Sequence, residues 1–337
     1  MKAMILDAPA PIHSRPLRLV ELADPVPGPG EIRVRVHACA ICRTDLHVIE
    51  GELASRRAPL VPGHQIVGVV ESRGAEARRF ELGARVGIAW LRRTCGACRY
   101  CAAGKENLCE ASQYTGWTHD GGYAELAVVD ERFAYCVPDA FGDGEATPLL
   151  CAGIIGYRAL ARSGLAARGR LGLYGFGSSA HIVLQLARAR GAEVYVCTRG
   201  ESHQALARRL GATWVGGTTD VPPVKLDAAI NFTPVGDVVP AAMAALDKGG
   251  VLACAGIYMS DVPPLRYESE LFYEKEIRSV TANTRADGEG LLRDAAAIPI
   301  RPEITCFALE EANEALVRLA DDRIDGTGVL VLASGAR

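Results

Sequence analysis

Four cysteines, Cys95, Cys98, Cys101 and Cys109, follow one another as C-x2-C-x2-C-x7-C in a stretch rich in glycine and basic residues. Four thiolates at this spacing can close a tetrahedral shell around zinc, and a closed shell leaves no position for a reactant, so the site is structural. A bacterial iron–sulfur run also begins C-x2-C-x2-C, but its fourth cysteine comes after three residues and precedes proline. Here seven residues intervene and Glu110 follows. The remaining reading is a chance set of buried thiols, although free cysteines rarely cluster in this way. Two more segments carry ligand types, Cys42-Arg43-Thr44-Asp45-Leu46-His47 and Pro62-Gly63-His64-Gln65-Ile66-Val67-Gly68. By itself a single Cys or His is more often packed core than a ligand.

A third motif is Gly175-Phe176-Gly177-Ser178-Ser179-Ala180, G-x-G-x-x-A between an apolar strand pattern and a helical one. The first glycine makes the tight turn, the second lets the backbone approach a pyrophosphate, and the third place needs only a small side chain. The free N–H groups and positive dipole end of the helix that opens at Ser178 suit the phosphates of a dinucleotide.

The elements that must hold these residues change character along the chain. Up to about residue 148, short strands such as Glu31-Ile32-Arg33-Val34-Arg35-Val36 alternate in period two between Gly and Pro clusters such as Val26-Pro27-Gly28-Pro29-Gly30, a β-rich pattern. From there to about residue 278, apolar strands at 171–174, 193–197, 228–232 and 251–255 alternate with helical stretches such as 179–190, which reads as βαβ units on a parallel sheet. From about 279 the pattern is mixed again, with a helix at 309–321 and a strand at 328–332, and this tail is expected to complete the first domain. The organisation is therefore α/β, with one domain over 1–148 plus 279–337 and another over 149–278.

Composition narrows the partners. The 337 residues suffice for two domains, and 37 Lys and Arg against 40 Asp and Glu leave a formal charge of −3 with no basic stripe suited to a phosphate backbone, so nucleic acid is excluded as a partner. The longest uncharged run, 171–187, is interrupted by Gly172, Gly175, Gly177, Ser178, Ser179, His181 and Gln185, too polar to span a membrane. The first residues meet Asp7 at once and lack a secretory pattern, so a cytoplasmic protein is expected. Eleven cysteines in a reducing compartment point to metal sites and buried thiols rather than disulfides.

Together the four-cysteine loop, the two ligand segments and the glycine motif resemble the alcohol dehydrogenase family of the zinc-dependent medium-chain dehydrogenase/reductase superfamily, over essentially the whole chain and in the same order. The resemblance implies a GroES-like β-rich catalytic domain and a Rossmann domain with a doubly wound parallel sheet. It implies two zinc ions per chain, one in the four-cysteine loop and one held by Cys42, His64 and Cys151, with the fourth position open to water or substrate. Thr44 and His47 would relay the substrate's proton to solvent, Asp45 would orient His64 through its other ring nitrogen, and Arg43 would touch the cofactor pyrophosphate. Leu53, Trp90 and Leu91 fall where the family lines its substrate pocket, and an apolar wall suits small aliphatic or aromatic alcohols and aldehydes better than polyols. The stretch Thr115-Gly116-Trp117-Thr118-His119-Asp120-Gly121-Gly122-Tyr123 resembles the yeast-type and bacterial members.

Departures from the family pattern are Gln65 for a frequent Glu, Ile155 for a frequent Thr, and Gly326-Thr327-Gly328 for a Gly-Arg pair. At the end of the second Rossmann strand, where an acid would bind the ribose of NAD, stand Cys197-Thr198-Arg199-Gly200; Thr198 and Arg199 match a phosphate, so NADP(H) is expected over NAD(H). The competing arrangement has Arg199 facing solvent and Glu201 reaching the ribose. Other readings are a polyol or sugar dehydrogenase of the same superfamily, an NAD-linked alcohol dehydrogenase, and a non-catalytic zinc-stabilised nucleotide-binding protein, which would need neither Thr44 nor His47. The family further implies a homodimer or homotetramer, with the strand at 251–255 as the expected pairing edge.

Overall fold

A computed structural model describes residues 1–332 except 55 and 299. The chain divides into two compact units: Met1–Cys151 with Ala282–Ala296 and everything described from Pro302 onward, and Ala152–Thr281 with Ala297–Arg301. The short return of 297–301 to the second unit has no signature in the sequence.

The first unit is built on a seven-stranded sheet. Its central strand, Glu31–Ala40, pairs antiparallel with Gln65–Arg73, Leu126–Asp130 and Thr327–Val331; Arg85–Ile88, Ala134–Cys136 and Ile304–Ala308 continue the sheet outward. The alternation in that strand sets the faces. Ile32, Val34 and Val36 are buried in the core, whereas Arg33 pairs with Glu71 at 3.0 Å and Arg35 ion-pairs with the same carboxylate. Register shifts between Arg33 and Val34 and between Val36 and Ala38 mark the extra residues that bend a sheet toward a barrel. The late strand Thr327–Val331 enters beside Glu31–Ala40, so the end of the described chain completes this unit's sheet.

The second unit carries six parallel strands in the spatial order Trp214–Gly216, Glu193–Cys197, Arg170–Tyr174, Leu226–Asn231, Leu246–Cys254 and Glu276–Ser279. Numbered along the chain this is 3-2-1-4-5-6, the doubly wound arrangement whose order reverses between the first and fourth strands. The inner strands Glu193–Cys197, Arg170–Tyr174 and Leu226–Asn231 and the second half of Leu246–Cys254 are buried on both faces, as helices packed on either side require, whereas the edge strand Glu276–Ser279 is largely exposed. The 251–255 stretch corrects one expectation. It belongs to Leu246–Cys254, which has a neighbour on each side and so offers no free edge for pairing across a dimer; the edge on that side is Glu276–Ser279. Among the described residues no helix is long and apolar enough to cross a membrane.

Candidate metal centres and nucleotide site

Cys42 ends the extended chain after Glu31–Ala40 and caps the helix Arg43–Ile49. Its backbone N–H donates to Asp45 Oδ2 at 2.8 Å, the reciprocal half of a helix cap. The other carboxylate oxygen of Asp45 accepts from His64 Nδ1 at 2.9 Å, with both side chains buried. This fixes the imidazole with Nε2 turned toward Cys42 Sγ, 3.4 Å away. His64 arrives by a turn that only glycine takes comfortably: Gly63 has φ +93°, and a Cβ there would lie 2.3 Å from the Tyr123 ring. Cys151 closes the 3-10 turn Thr147–Leu150, whose residues are all buried.

The ligand atoms of Cys42, His64 and Cys151 lie within 4.8 Å of one another. A zinc ion bonded at about 2.3 Å to sulfur and about 2.0 Å to nitrogen needs neighbouring tetrahedral ligands roughly 3.5–3.8 Å apart, and the Cys42–His64 separation is close to that. Electrostatics agree. Burial works against a charged His64, but the Asp45 carboxylate, the Cys42 sulfur and their hydrogen bonds outweigh it and push its pKa up to about 10. A hydrogen bond with Cys151, followed by burial, drives the Cys42 thiol well above its usual value. Such a pocket favours added positive charge, and a divalent cation is what releases thiol protons.

The second cluster lies within one loop. Cys95, Cys98, Cys101 and Cys109 also place their sulfurs within 4.8 Å of one another, with Cys98–Cys101 and Cys95–Cys109 both at 3.6 Å and Cys95–Cys101 at 3.9 Å. Four sulfurs around one zinc sit about 3.8 Å apart. Backbone N–H groups of Ala97 and Cys98 lower the Cys95 pKa to about 6, while burial raises that of Cys109 to about 11. All eleven cysteines are free of disulfides.

Around the three-ligand cluster, Thr44 and His47 stand three residues apart on the helix Arg43–Ile49, on neighbouring positions of one face. His47 Nδ1 is bonded to Glu52, a carboxylate that the sequence did not single out. Arg43 is exposed and ion-paired to Asp322. Gln65 is fully buried, and neither of its amide atoms has a hydrogen-bond partner. Trp90 packs edge-on against the His64 ring at 4.9 Å and belongs to a cluster with Val48, Leu53 and Leu60. Leu91 departs from the pocket expectation: it sits in the main core of the unit, because consecutive residues at a strand end face opposite sides. Beside Trp90 stand instead Trp117, stacked on it at 5.7 Å and 11°, and Tyr114, 5.1 Å away. The only sequence signal for Trp117 was its place in the 115–123 stretch.

In the second unit the glycine motif lies where the strand order reverses. Gly175 has φ +82°, and a Cβ there would press to 2.9 Å from Thr233 after the fourth strand. Gly177 caps the helix Ser178–Ala189, no side chain caps it in turn, and a Cβ on Gly177 would meet nothing within 4 Å. That is the open cradle of N–H groups a pyrophosphate requires. Ala180 is fully buried. At the tip of Glu193–Cys197, Thr198 is buried with its hydroxyl donating to the Arg199 carbonyl at 3.4 Å, while Arg199 is exposed. His203, which the sequence reading passed over, donates from Nδ1 to the Phe176 carbonyl at 2.8 Å and so ties this tip to the glycine loop.

These arrangements agree with comparisons to known proteins. Residues 28–139 match the model of the alcohol dehydrogenase GroES-like domain, and residues 180–297 that of the zinc-binding dehydrogenase. A probable alcohol dehydrogenase of Mycobacterium tuberculosis is 51% identical over 98% of this chain and 97% of its own length. Among solved structures, a cinnamyl alcohol dehydrogenase of Sorghum bicolor superposes with a TM-score of 0.90 at 26% identity, over 100% of this chain and 98% of that one. A cobalt- and zinc-bound thermostable alcohol dehydrogenase of Pyrobaculum aerophilum gives 0.88 at 25% identity, over 98% of this chain and 99% of that one. With two clusters able to hold a metal ion on a GroES-like unit and a glycine motif on a Rossmann sheet, the chain belongs to the alcohol dehydrogenase family of the zinc-dependent medium-chain dehydrogenases.

Proposed function

We propose that the protein interconverts small aliphatic or aromatic alcohols and their aldehydes with NADP(H), using one zinc at Cys42, His64 and Cys151 and a second, structural zinc at Cys95, Cys98, Cys101 and Cys109. The observation that carries this reading is the three-ligand cluster, which can hold a metal yet leaves a position for a reactant. Bound there, zinc supplies a Lewis acid for the substrate oxygen, and the nicotinamide gives or takes the hydride.

The chain's own residues do the rest. Asp45 holds His64 in the tautomer that presents Nε2 to the metal. The Thr44 hydroxyl can accept and donate, so it passes the substrate's proton onward, and His47, with Glu52 at its Nδ1, stabilises and releases that proton to solvent. Trp90, Trp117 and Leu53 exclude water and favour an apolar or aromatic substrate body over a polyol. Gly175, Gly177, Ser178, Ser179 and Ala180 receive the pyrophosphate at the helix N-terminus. Arg43, ion-paired to Asp322, is the arginine that the family resemblance assigns to a cofactor phosphate.

Preference for NADP(H) is supported by the tip at Thr198-Arg199-Gly200, where a carboxylate is missing and an exposed guanidinium stands. A homodimer is supported by the Glu276–Ser279 edge, with the exposed Ile277 on it and Phe272 and Tyr273 just before it. A panel of aldehydes assayed with NADPH and NADH, together with a zinc count per chain, tests the reading. Turnover with NADPH preferred and two zincs supports it; an absence of turnover with any aldehyde overturns it.

A further inference from the structure

Trp90 and Trp117 form an aromatic wall beside His64. The wall is a ladder leading outward from the metal ligand: His64 against Trp90 at 4.9 Å, Trp90 against Trp117 at 5.7 Å, and the Arg56 guanidinium over the Trp117 ring at 5.4 Å. Exposure rises in step along it, from His64 and Trp90, both buried, through half-buried Trp117 to exposed Arg56. The segment that carries Arg56 is itself fastened to the ladder, because Trp117 Nε1 donates to the Ala54 carbonyl at 3.0 Å and Leu53 packs in the Trp90 cluster.

The charges at the outer end are unequal. The adjacent Arg57 is neutralised by Asp120 at 2.8 Å, and the nearby Glu52 is bonded to His47. Arg56 has no acidic partner among the described residues. The Arg56 guanidinium stands 5.4 Å from the Trp117 ring centroid, and its planar fork of N–H donors matches the two oxygens of a carboxylate. A carboxylate on an aromatic body resting beside Trp90 and Trp117 would meet this guanidinium at the outer end of the ladder.

From this we infer that Arg56 is a specificity residue, and that the preferred substrates are aryl aldehydes and alcohols bearing a carboxylate at the end of the molecule remote from the reacting carbon. The inference rests on the alcohol–aldehyde reading above and names a substrate class within it. Arg56 acts on binding, not on the transfer itself, so its effect belongs in KM more than in kcat.

The test compares 4-carboxybenzaldehyde with benzaldehyde, under saturating reduced cofactor, in the wild-type holoenzyme, in Arg56→Gln and in Arg57→Gln. The expected result is a ratio of kcat/KM of about tenfold in favour of the carboxylate in the wild type, as for a hydrogen bond to a charged group. This ratio should shrink as salt is added. Arg56→Gln should bring it near unity through KM, and Arg56→Glu should reverse it. Arg57→Gln, which removes a guanidinium already held by Asp120, should keep the wild-type ratio. A wild-type ratio near unity, or one that survives Arg56→Gln, overturns the inference while leaving the activity reading intact. If neither aldehyde nor any other in the panel turns over, both fall together.

Discussion

Asp45 Oδ1 accepts from His64 Nδ1 at 2.9 Å while Asp45 Oδ2 accepts the Cys42 N–H at 2.8 Å, so one buried carboxylate sets the direction of two prospective metal ligands at once. One of its bonds is a helix cap and the other an orientation of an imidazole. The cap of the helix Arg43–Ile49 and the orientation of His64 therefore depend on the same side chain.

Replacing Asp45 with Asn keeps the size of the side chain but removes the charge that fixes the His64 tautomer. Loss of such an orienting partner typically weakens metal affinity about 10- to 100-fold. After dialysis against a chelator, Asp45→Asn should retain close to one zinc per chain where the wild type retains two, with turnover lost in proportion. Two zincs retained would show that Asp45 does not govern the site.

The two clusters should separate by substitution. Cys42→Ala should abolish turnover with dinucleotide binding retained, since the glycine motif lies in the other unit. Cys98→Ser opens a closed shell, so it should lower the thermal unfolding midpoint. Scanning calorimetry, zinc content and titration of dinucleotide binding check both. Undiminished turnover in Cys42→Ala would remove that cluster from the chemistry.

Cofactor choice should follow Arg199. Changing it to Asp puts a carboxylate where ribose hydroxyls would be read and a repulsion where a phosphate would sit. The ratio of kcat/KM for NADPH over NADH should fall by about tenfold or more, the worth of a charge-assisted hydrogen bond. An unchanged ratio would assign the preference to other residues.

A pH-dependent contribution to stability is expected from Glu106. Burial by itself would raise its pKa, but the Arg285 backbone N–H at 3.0 Å and its guanidinium at 3.2 Å outweigh burial and hold it below the usual range. The folded carboxyl thus binds its proton less tightly than the unfolded one. Its contribution is fully present above the unfolded value of about 4.3 and is lost as pH falls through the lower folded value. Glu106→Gln should unfold at a lower temperature than wild type at pH 7, and the gap should close in acid, below about pH 4. A gap that stays constant with pH would show that packing, not charge, carries the effect.

Several features were legible in the residues alone because their causes are local. Period-two alternation over 31–36 and apolar strands followed by helical stretches are written within a few residues, and the strands at 171–174 and 193–197 lie where that pattern placed them. Four cysteines within fifteen residues can reach one ion whatever the rest of the chain does, so their spacing was informative by itself. The glycine motif is equally local, since a tight turn and a helix N-terminus need only adjacent residues.

What only the tertiary structure decided are the meetings of residues distant in sequence. Spacing carries no trace of Cys151 joining Cys42 and His64; a family resemblance suggested that grouping, and the packed turn Thr147–Leu150 is what brings the sulfur there. Likewise the pairing of His47 with Glu52, the stacking of Trp117 on Trp90, the bond from His203 to Phe176 and the burial of Leu91 in the main core depend on which faces are turned inward. The free edge at Glu276–Ser279 is of the same kind, because strand order within a sheet is a property of the assembled sheet and not of any one strand. Local pattern determines which residues can do chemistry; the sheet and its turns determine which of them share a site, because contacts between distant segments exist only once the core that holds them has formed.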